Sequence, residues 1–283
     1  MSTCIGNSIA ILVVLYNKEL SESKTLFSLL NDFYYKGDVT LFIVNNGPNK
    51  ILFDDSISNG LNKKFHQVIY VEYICNKPLS KIYNEFINNN YDYYVIFDDD
   101  SQPDDSYFEV FNDINYDLVL PRIKSSDDCT FYYPVNNGLV VDSECELCID
   151  TVMSISSGII IGRRIVSIVR NKFGLVFDER YALYGIDTSF LFRLRAIDSN
   201  IKNKLSFVCV GIIRHSLSRV VKDSSEFRAI ERLYDVAITT RWYSNFYGYG
   251  VFLRKFLGSL VRFKFRYSFI LFFYYFRGRH PRC

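Results

Sequence analysis

No apolar run in the chain is long enough to cross a bilayer. "IAILVVLY" at 9–16 and the uncharged stretch Tyr267–Phe276 both fall well short of the ~20 residues that a spanning helix needs. No basic stretch precedes 9–16 as it would in a signal peptide. The chain is therefore expected to stay in the cytoplasm or on the inner face of the cytoplasmic membrane. Paired cysteines are also lacking. There are seven, an odd number at scattered positions, which reads as reduced thiols rather than a disulfide framework. Cys145 and Cys148 make the one CxxC pair, and the nearest further cysteine, Cys129, stands alone, so a four-ligand zinc site is not expected. Internal repeats and low-complexity linkers are absent. The net charge of +2 does not give a nucleic-acid-binding composition. It conceals a split, because residues 251–283 hold eight Lys/Arg and no Asp/Glu, leaving a net −6 on the other 250.

With 283 residues the chain suits one large domain, or one domain with an appendage, and buries roughly three quarters of its unfolded surface. Strand-like runs alternate with helical patterns. "IAILVVLY" (9–16), "VTLFIVNN" (39–46), "QVIYVEYI" (67–74) and "YDYYVIF" (91–97) read as strands, with helices over 19–35 and 78–89. Continuously apolar strands alternating with helices predict a parallel sheet covered on both faces. In such sheets ligands bind beyond the carboxyl ends of the strands. The second half predicts strands near 117–121, 158–161 and 204–215, a hairpin over 130–142 turning at Asn136-Asn137-Gly138, and helices over 187–197 and 224–246.

The fourth strand ends in three aspartates, Asp98, Asp99 and Asp100. Asp104 or Asp105 suffices to cap the following helix, so capping does not account for the triplet. Adjacent carboxylates repel unless a cation offsets them. Hard oxygen ligands suit Mg²⁺ or Mn²⁺ shared with substrate phosphates. Residues i and i+2 of an extended segment point the same way, so Asp98 and Asp100 are expected to face one ion.

The chain here resembles family 2 glycosyltransferases of the GT-A fold. "FDDDSQP" is similar to their Asp-x-Asp motif, nearest the "LDQDS-P" form of rhamnosyltransferase-like members; galactofuranosyl-type members also carry "DDD". "VVLYNK" resembles their "VVTYN", and "FIVNNGPN" their "IVVDNGS". "SSGIIIGRRIV", "FDERYALYGIDTSFLFRLRA" and "RHSLS" match later segments, in family order over roughly 9–243. Asn45 stands where the family usually has Asp, Leu15 replaces Thr, and Ser189 replaces a second acidic residue. The resemblance implies an α/β GT-A-type domain over 1–222, with a mostly parallel sheet flanked by helices; a helical, membrane-docking extension over 223–283 is expected from the basic, aromatic tail. The resemblance also implies transfer of a sugar, with inversion, from a nucleotide-diphosphate donor to a hydroxyl of a lipid-linked glycan in bacterial surface polysaccharide or O-antigen synthesis. Rhamnose is the first expectation for the donor and galactofuranose the second. Tyr16, Asn17 and Asn45 would surround base and ribose, Asp98 and Asp99 would meet the donor, and Asp98, Asp100 and His215 would hold the metal.

Asp187 opens a helical pattern. It reads either as an N-cap or as the base that takes the acceptor's proton, two readings that are compatible, and the resemblance favours the base. Asp178 and Glu179 are fallback candidates. Arg214 and Arg219 stand near enough in sequence to His215 to pair with phosphate oxygens, whereas His66 and His280 have no such context. The tail interleaves Arg and Lys with Phe, Leu and Tyr, a pattern that suits an anionic membrane surface, a cover over the core or an oligomer contact; so many aromatics favour the membrane. Two other classes compete. A sugar-nucleotide pyrophosphorylase needs a glycine-rich loop after the first strand, and "LYNKELSES" has no glycine. A non-catalytic membrane-associated scaffold would keep the fold and dispense with Asp187.

Overall fold

The computed structural model describes residues 6–51, 55–217, 225–244 and 246–283. Arg219 and the expected boundary at 222 lie outside the described residues. The first half runs β1 (Ile9–Leu15), α1 (Lys24–Asn31), β2 (Val39–Asn45), α2 (Asp55–Lys64), β3 (Gln67–Glu72), α3 (Leu79–Ile87) and β4 (Tyr93–Asp98). β5 (Gln102–Pro103), α4 (Asp105–Glu109), β6 (Leu118–Ser125), β7 (Phe131–Tyr133), β8 (Val135–Asn136), β9 (Leu139–Val140) and β10 (Cys145–Glu146) follow. The remainder is β11 (Ile159–Gly162), α5 (Arg163–Phe173), α6 (Ile186–Arg195), α7 (Ser199–Lys202), β12 (Phe207–His215), α8 (Glu226–Tyr243), α9 (Phe246–Val261) and α10 (Phe265–Arg277).

The main sheet has the order β3–β2–β1–β4–β11–β6–β12–β10. β3, β2, β1 and β4 are parallel, as their apolar runs predict. β11 is antiparallel to β4 and to β6, while β6 and β12 run parallel. Every residue of β1 and β2 is buried. Alternation along β1 sends Ala10, Leu12 and Val14 into one core and Ile9, Ile11, Val13 and Leu15 into the other. Truncating one of these, such as Leu12→Ala, should cost about 2–5 kcal/mol. α3, α5 and α6 cover the first face, and α1 and α4 the second.

Strand order reverses between β1 and β4, which opens a crevice at their carboxyl ends. Asp98 is the last residue of β4.

Several boundaries differ from expectation. The hairpin is confined to β8 and β9, turning at Asn137 and Gly138 with φ of 51° and 80°. Phe131 and Tyr133 pair with β6 instead, because that edge is open to them. α2 was not anticipated. Its sequence is mostly polar, and it buries Leu61 against the second core. The helix expected over 19–35 splits at Ser23, whose hydroxyl accepts from Leu26 N and caps α1.

α8, α9 and α10 pack on one another through Leu233, Ala237, Ile270 and Leu271. Among the described residues no helix is long and apolar enough to cross a membrane.

Candidate active site

Three segments meet at the crevice. The first is the aspartate triplet. Its backbone is gripped by the start of α1, where Thr25 Oγ1 donates to Asp98 O at 2.5 Å and Ser23 Oγ to Asp99 O at 3.0 Å. The triplet splits as the strand gives way to a turn at Asp99 and Asp100. Asp98 and Asp100 turn toward His215 at the end of β12, with His215 Nε2 3.7 Å from Asp98 Oδ2 and His215 Nδ1 3.0 Å from Asp100 Oδ1. Asp99 turns the other way, to Lys18 Nζ at 2.5 Å and the Tyr16 N–H at 3.3 Å.

Asp98, Asp100 and His215 each offer one ligand atom, all within 4.8 Å of one another. Two carboxylate oxygens and an imidazole nitrogen suit Mn²⁺, and the carboxylates suit Mg²⁺. The donor set therefore fits a divalent ion. Burial raises the Asp98 carboxyl to about 7, against the attraction of His215 and with the repulsion of Asp100. Burial also acts on Asp100, but the His215 hydrogen bond and charge hold that carboxyl below its usual range. For His215, burial lowers the imidazole pKa, and Asp100 and Asp98 more than reverse this, so it is raised.

The second segment is Ser156-Ser157-Gly158, just before β11. Ser157 Oγ accepts the Asp98 N–H at 3.3 Å and bonds to Ser101 Oγ. Gly158 has φ +77°, and a Cβ there would meet Ile213 Cδ1 at 1.9 Å, so only glycine fits.

The third segment is the start of α6. Gly185, at φ +87°, is the N-cap residue, and Asp187 lies in the first helical turn. Asp187 is thus not the N-cap, because the helix begins one residue before it. Burial raises its carboxyl to about 6, against the side chain and backbone of Ser156, which favour the charged form. The negative charge of Asp235 on α8 adds to that rise. Asp235 Oδ1 would stand 2.4 Å from a Cβ on Gly185 and accepts from Thr239 Oγ1 at 3.0 Å. Asp235 thus brings an acidic group from the C-terminal helices to the start of α6.

On the other side of the triplet, Asn17, Lys18, Glu19, Glu22, Asn45, Asn49, Lys50 and Ile51 line an open cleft. Tyr16 lies beside it, 51% exposed. Asn45 is buried, and its amide holds the loop, donating to Asn49 O at 2.7 Å and accepting from Gly47 N at 2.9 Å. Arg214 does not join His215. Neighbours on a strand face opposite ways, and Arg214 is exposed while His215 is buried. Asp178 is engaged elsewhere, with Arg180 at 2.5 Å, Arg193 at 3.5 Å and Tyr243 OH at 2.6 Å. Burial raises its carboxyl, but these partners bring it below the usual range. Glu179 accepts from Asn84 Nδ2 at 3.1 Å. Both acids hold the loop before Gly185. Lys18, Ser156, Ser157 and Asp235 were not anticipated as site residues; the adjacent serines before an apolar strand were the one local signal.

No family profile matches the chain, and no curated protein matches its sequence. Solved structures of S. aureus TarS are similar to it. One of residues 1–349 matches with a TM-score of 0.55 at 10% identity, covering 97% of this chain and 93% of that one. The fold is that of a GT-A-like glycosyltransferase. TarS 1–349 in complex with UDP matches with a TM-score of 0.50 at 12% identity, over 85% of this chain and 68% of that one. A longer TarS structure matches with a TM-score of 0.52 at 11% identity over 83% of this chain, which spans only 44% of that chain. In this GT-A-like fold the crevice at β1 and β4 is the place where the aspartates, His215 and Asp187 converge.

Proposed function

We propose that the protein is an inverting, metal-dependent glycosyltransferase acting on a nucleotide-diphosphate sugar and a hydroxyl of a lipid-linked glycan. The observation that carries this reading is the convergence of the Asp98–Asp100–His215 cluster and Asp187, both tied to Ser156-Ser157. The TarS structure holding UDP supports a nucleotide-sugar donor.

In this reading Asn17 and Asn45 border the nucleoside, with Tyr16 beside them, and Asp98 and Asp99 face the donor. Asp98, Asp100 and His215 hold Mg²⁺ or Mn²⁺, which supplies charge to stabilise the departing diphosphate. Asp187 takes the acceptor proton as the hydroxyl oxygen bonds to the anomeric carbon. The bond from that carbon to the diphosphate breaks in the same displacement, and its electron pair leaves with the nucleotide. Such base catalysis contributes about 10²–10⁴ in rate. The first donor to try is dTDP-rhamnose, then UDP-galactofuranose.

Residues 223–283 form the membrane-docking part beside a GT-A domain over 1–222. Leu253, Leu257 and Val261 of α9 and Phe265, Phe269, Phe272 and Phe276 of α10 are exposed, among Arg and Lys with no acidic residue. This face suits the anionic inner surface of the cytoplasmic membrane, where a lipid-carried acceptor for surface polysaccharide synthesis would be concentrated.

The test is a nucleotide-release screen over donor sugars with and without Mn²⁺. Release that requires Mn²⁺ supports the reading; release undiminished by a chelator contradicts the metal role. Unchanged transfer by Asp187→Asn would favour another base, and release from no donor at all would favour the non-catalytic scaffold.

A further inference from the structure

We propose that residues 278–283 form a brace between the loop that walls the donor cleft and the segment that leads to Asp187, and that Arg282 is a positioning residue for the nucleotide donor. The inference rests on the donor-binding reading above.

At the end of α10 the chain turns back onto the catalytic body. Trp242 Nε1 donates to Gly278 O at 2.7 Å, and His280 N donates to Arg180 O at 2.8 Å. His280 and Glu231 of α8 are 3% and 5% exposed, with ring nitrogen and carboxylate 3.2 Å apart. Arg282 Nη2 reaches the second oxygen of Glu231 at 3.3 Å, and Arg282 Nη1 donates to Asn76 Oδ1 at 3.0 Å.

Each anchor belongs to a different part of the site. Asn76 Oδ1 also accepts from Asn46 Nδ2 at 3.4 Å, and that amide donates to Lys77 O at 2.9 Å. Asn46 begins the loop whose Asn49, Lys50 and Ile51 wall the cleft. Asn17 N donates to Gly47 O at 2.7 Å, closing that wall onto β1. Arg180 stands in the segment leading to Gly185 and Asp187. It stacks on Trp242, with Cζ 4.2 Å from the ring centroid. A buried ion pair adds little net stability compared with apolar packing, yet it fixes geometry. The fork of Arg282 is suited to that task, joining Glu231 on α8 to the loop beside the donor cleft.

The test uses the full chain and two variants. Arg282→Ala removes the fork. Asn76→Gly removes its acceptor and keeps the left-handed backbone, which stands at φ 53°. Binding of UDP or dTDP with Mn²⁺ is measured by titration calorimetry. Each variant should weaken binding about three- to tenfold, and the double variant by clearly less than the two losses combined, because both break the Arg282–Asn76 connection. In turnover the donor KM should rise with kcat preserved, and Arg282→Lys, lacking the fork, should not rescue it. If Arg282→Ala fails to fold, Asn76→Gly carries the same prediction. Wild-type affinity in the variants, or additive losses in the double variant, would overturn the brace alone. A wild-type protein that binds neither nucleotide would overturn the donor reading and the brace together.

Discussion

Ser157 Oγ accepts the backbone N–H of Asp98 at 3.3 Å, and the preceding residue, Ser156, lines one small cavity with Asp187 and favours its charged carboxylate. Two adjacent serines thereby connect the base candidate to the strand end that carries the acidic cluster. In a displacement reaction the distance between the proton acceptor and the leaving group matters to fractions of an ångström.

Asp187→Asn keeps the shape of this arrangement and removes the proton acceptor. Sugar transfer should fall about 10²–10⁴-fold, while nucleotide binding stays close to wild type. Transfer assays beside calorimetry separate the two effects, and equal losses in both would argue that Asp187 serves structure.

A base must be ionised to act. With the Asp187 carboxyl at about 6, kcat/KM should rise with pH through that value and level off above it. Asp235→Asn removes a like charge, which lowers the carboxyl and moves the acid limb to lower pH. Ser156→Ala removes a donor to the charged form and moves the limb to higher pH. Shifts of the same sign in the two variants would contradict this account.

The acidic cluster makes metal-free stability depend on pH. Asp98 is raised from 3.8 to about 7, so the folded state holds a proton that the unfolded chain has lost, and stability falls as pH climbs through that window. His215 is raised from 6.5, so its stabilisation is complete below 6.5 and is lost as pH passes its folded value. Asp100 is lowered from 3.8, and its contribution is lost only in stronger acid. The Tm of metal-free protein should therefore decline from about pH 5 to about pH 8. Asp98 is 39% exposed at its side chain, so solvent screening moderates the slope. Mn²⁺ should raise Tm, and more at the higher pH, because protons compete for the same ligands. Thermal melts across that range check both; a flat Tm with no Mn²⁺ effect would refute the cluster as a cation site.

Phe265, Phe269 and Phe272 are 61%, 63% and 54% exposed. Replacing all three by Ser should abolish sedimentation with anionic vesicles at little cost in Tm, since none lies in the buried cluster of the three helices. Each nearby Lys or Arg adds about 1 kcal/mol at such a surface, so wild-type binding should weaken with salt. Deleting 251–283 is the poorer test, because it also removes His280 and Arg282, which hold the catalytic body.

The parallel half of the sheet was legible because β1 is apolar throughout and β2 is apolar but for Thr40 and Asn45, a pattern that two-sided burial requires. That Asp98 and Asp100 stand together at the end of β4 was legible because capping did not account for three adjacent carboxylates; Asp187 was singled out by resemblance. α2 was not, since its polar sequence is held in place by one leucine and its neighbours. Arg214 was misplaced because adjacency in sequence is opposition on a strand. Asp235, Glu231, His280 and Arg282 meet the site through contacts that span much of the chain, and no local pattern marks them.

Anomalous diffraction from crystals soaked with Mn²⁺ and UDP tests the central claim most directly. The account predicts one strong peak among Asp98, Asp100 and His215, with the diphosphate on its open side. A peak elsewhere, with both carboxylates turned to bulk solvent and the nucleotide remote from them, would contradict it.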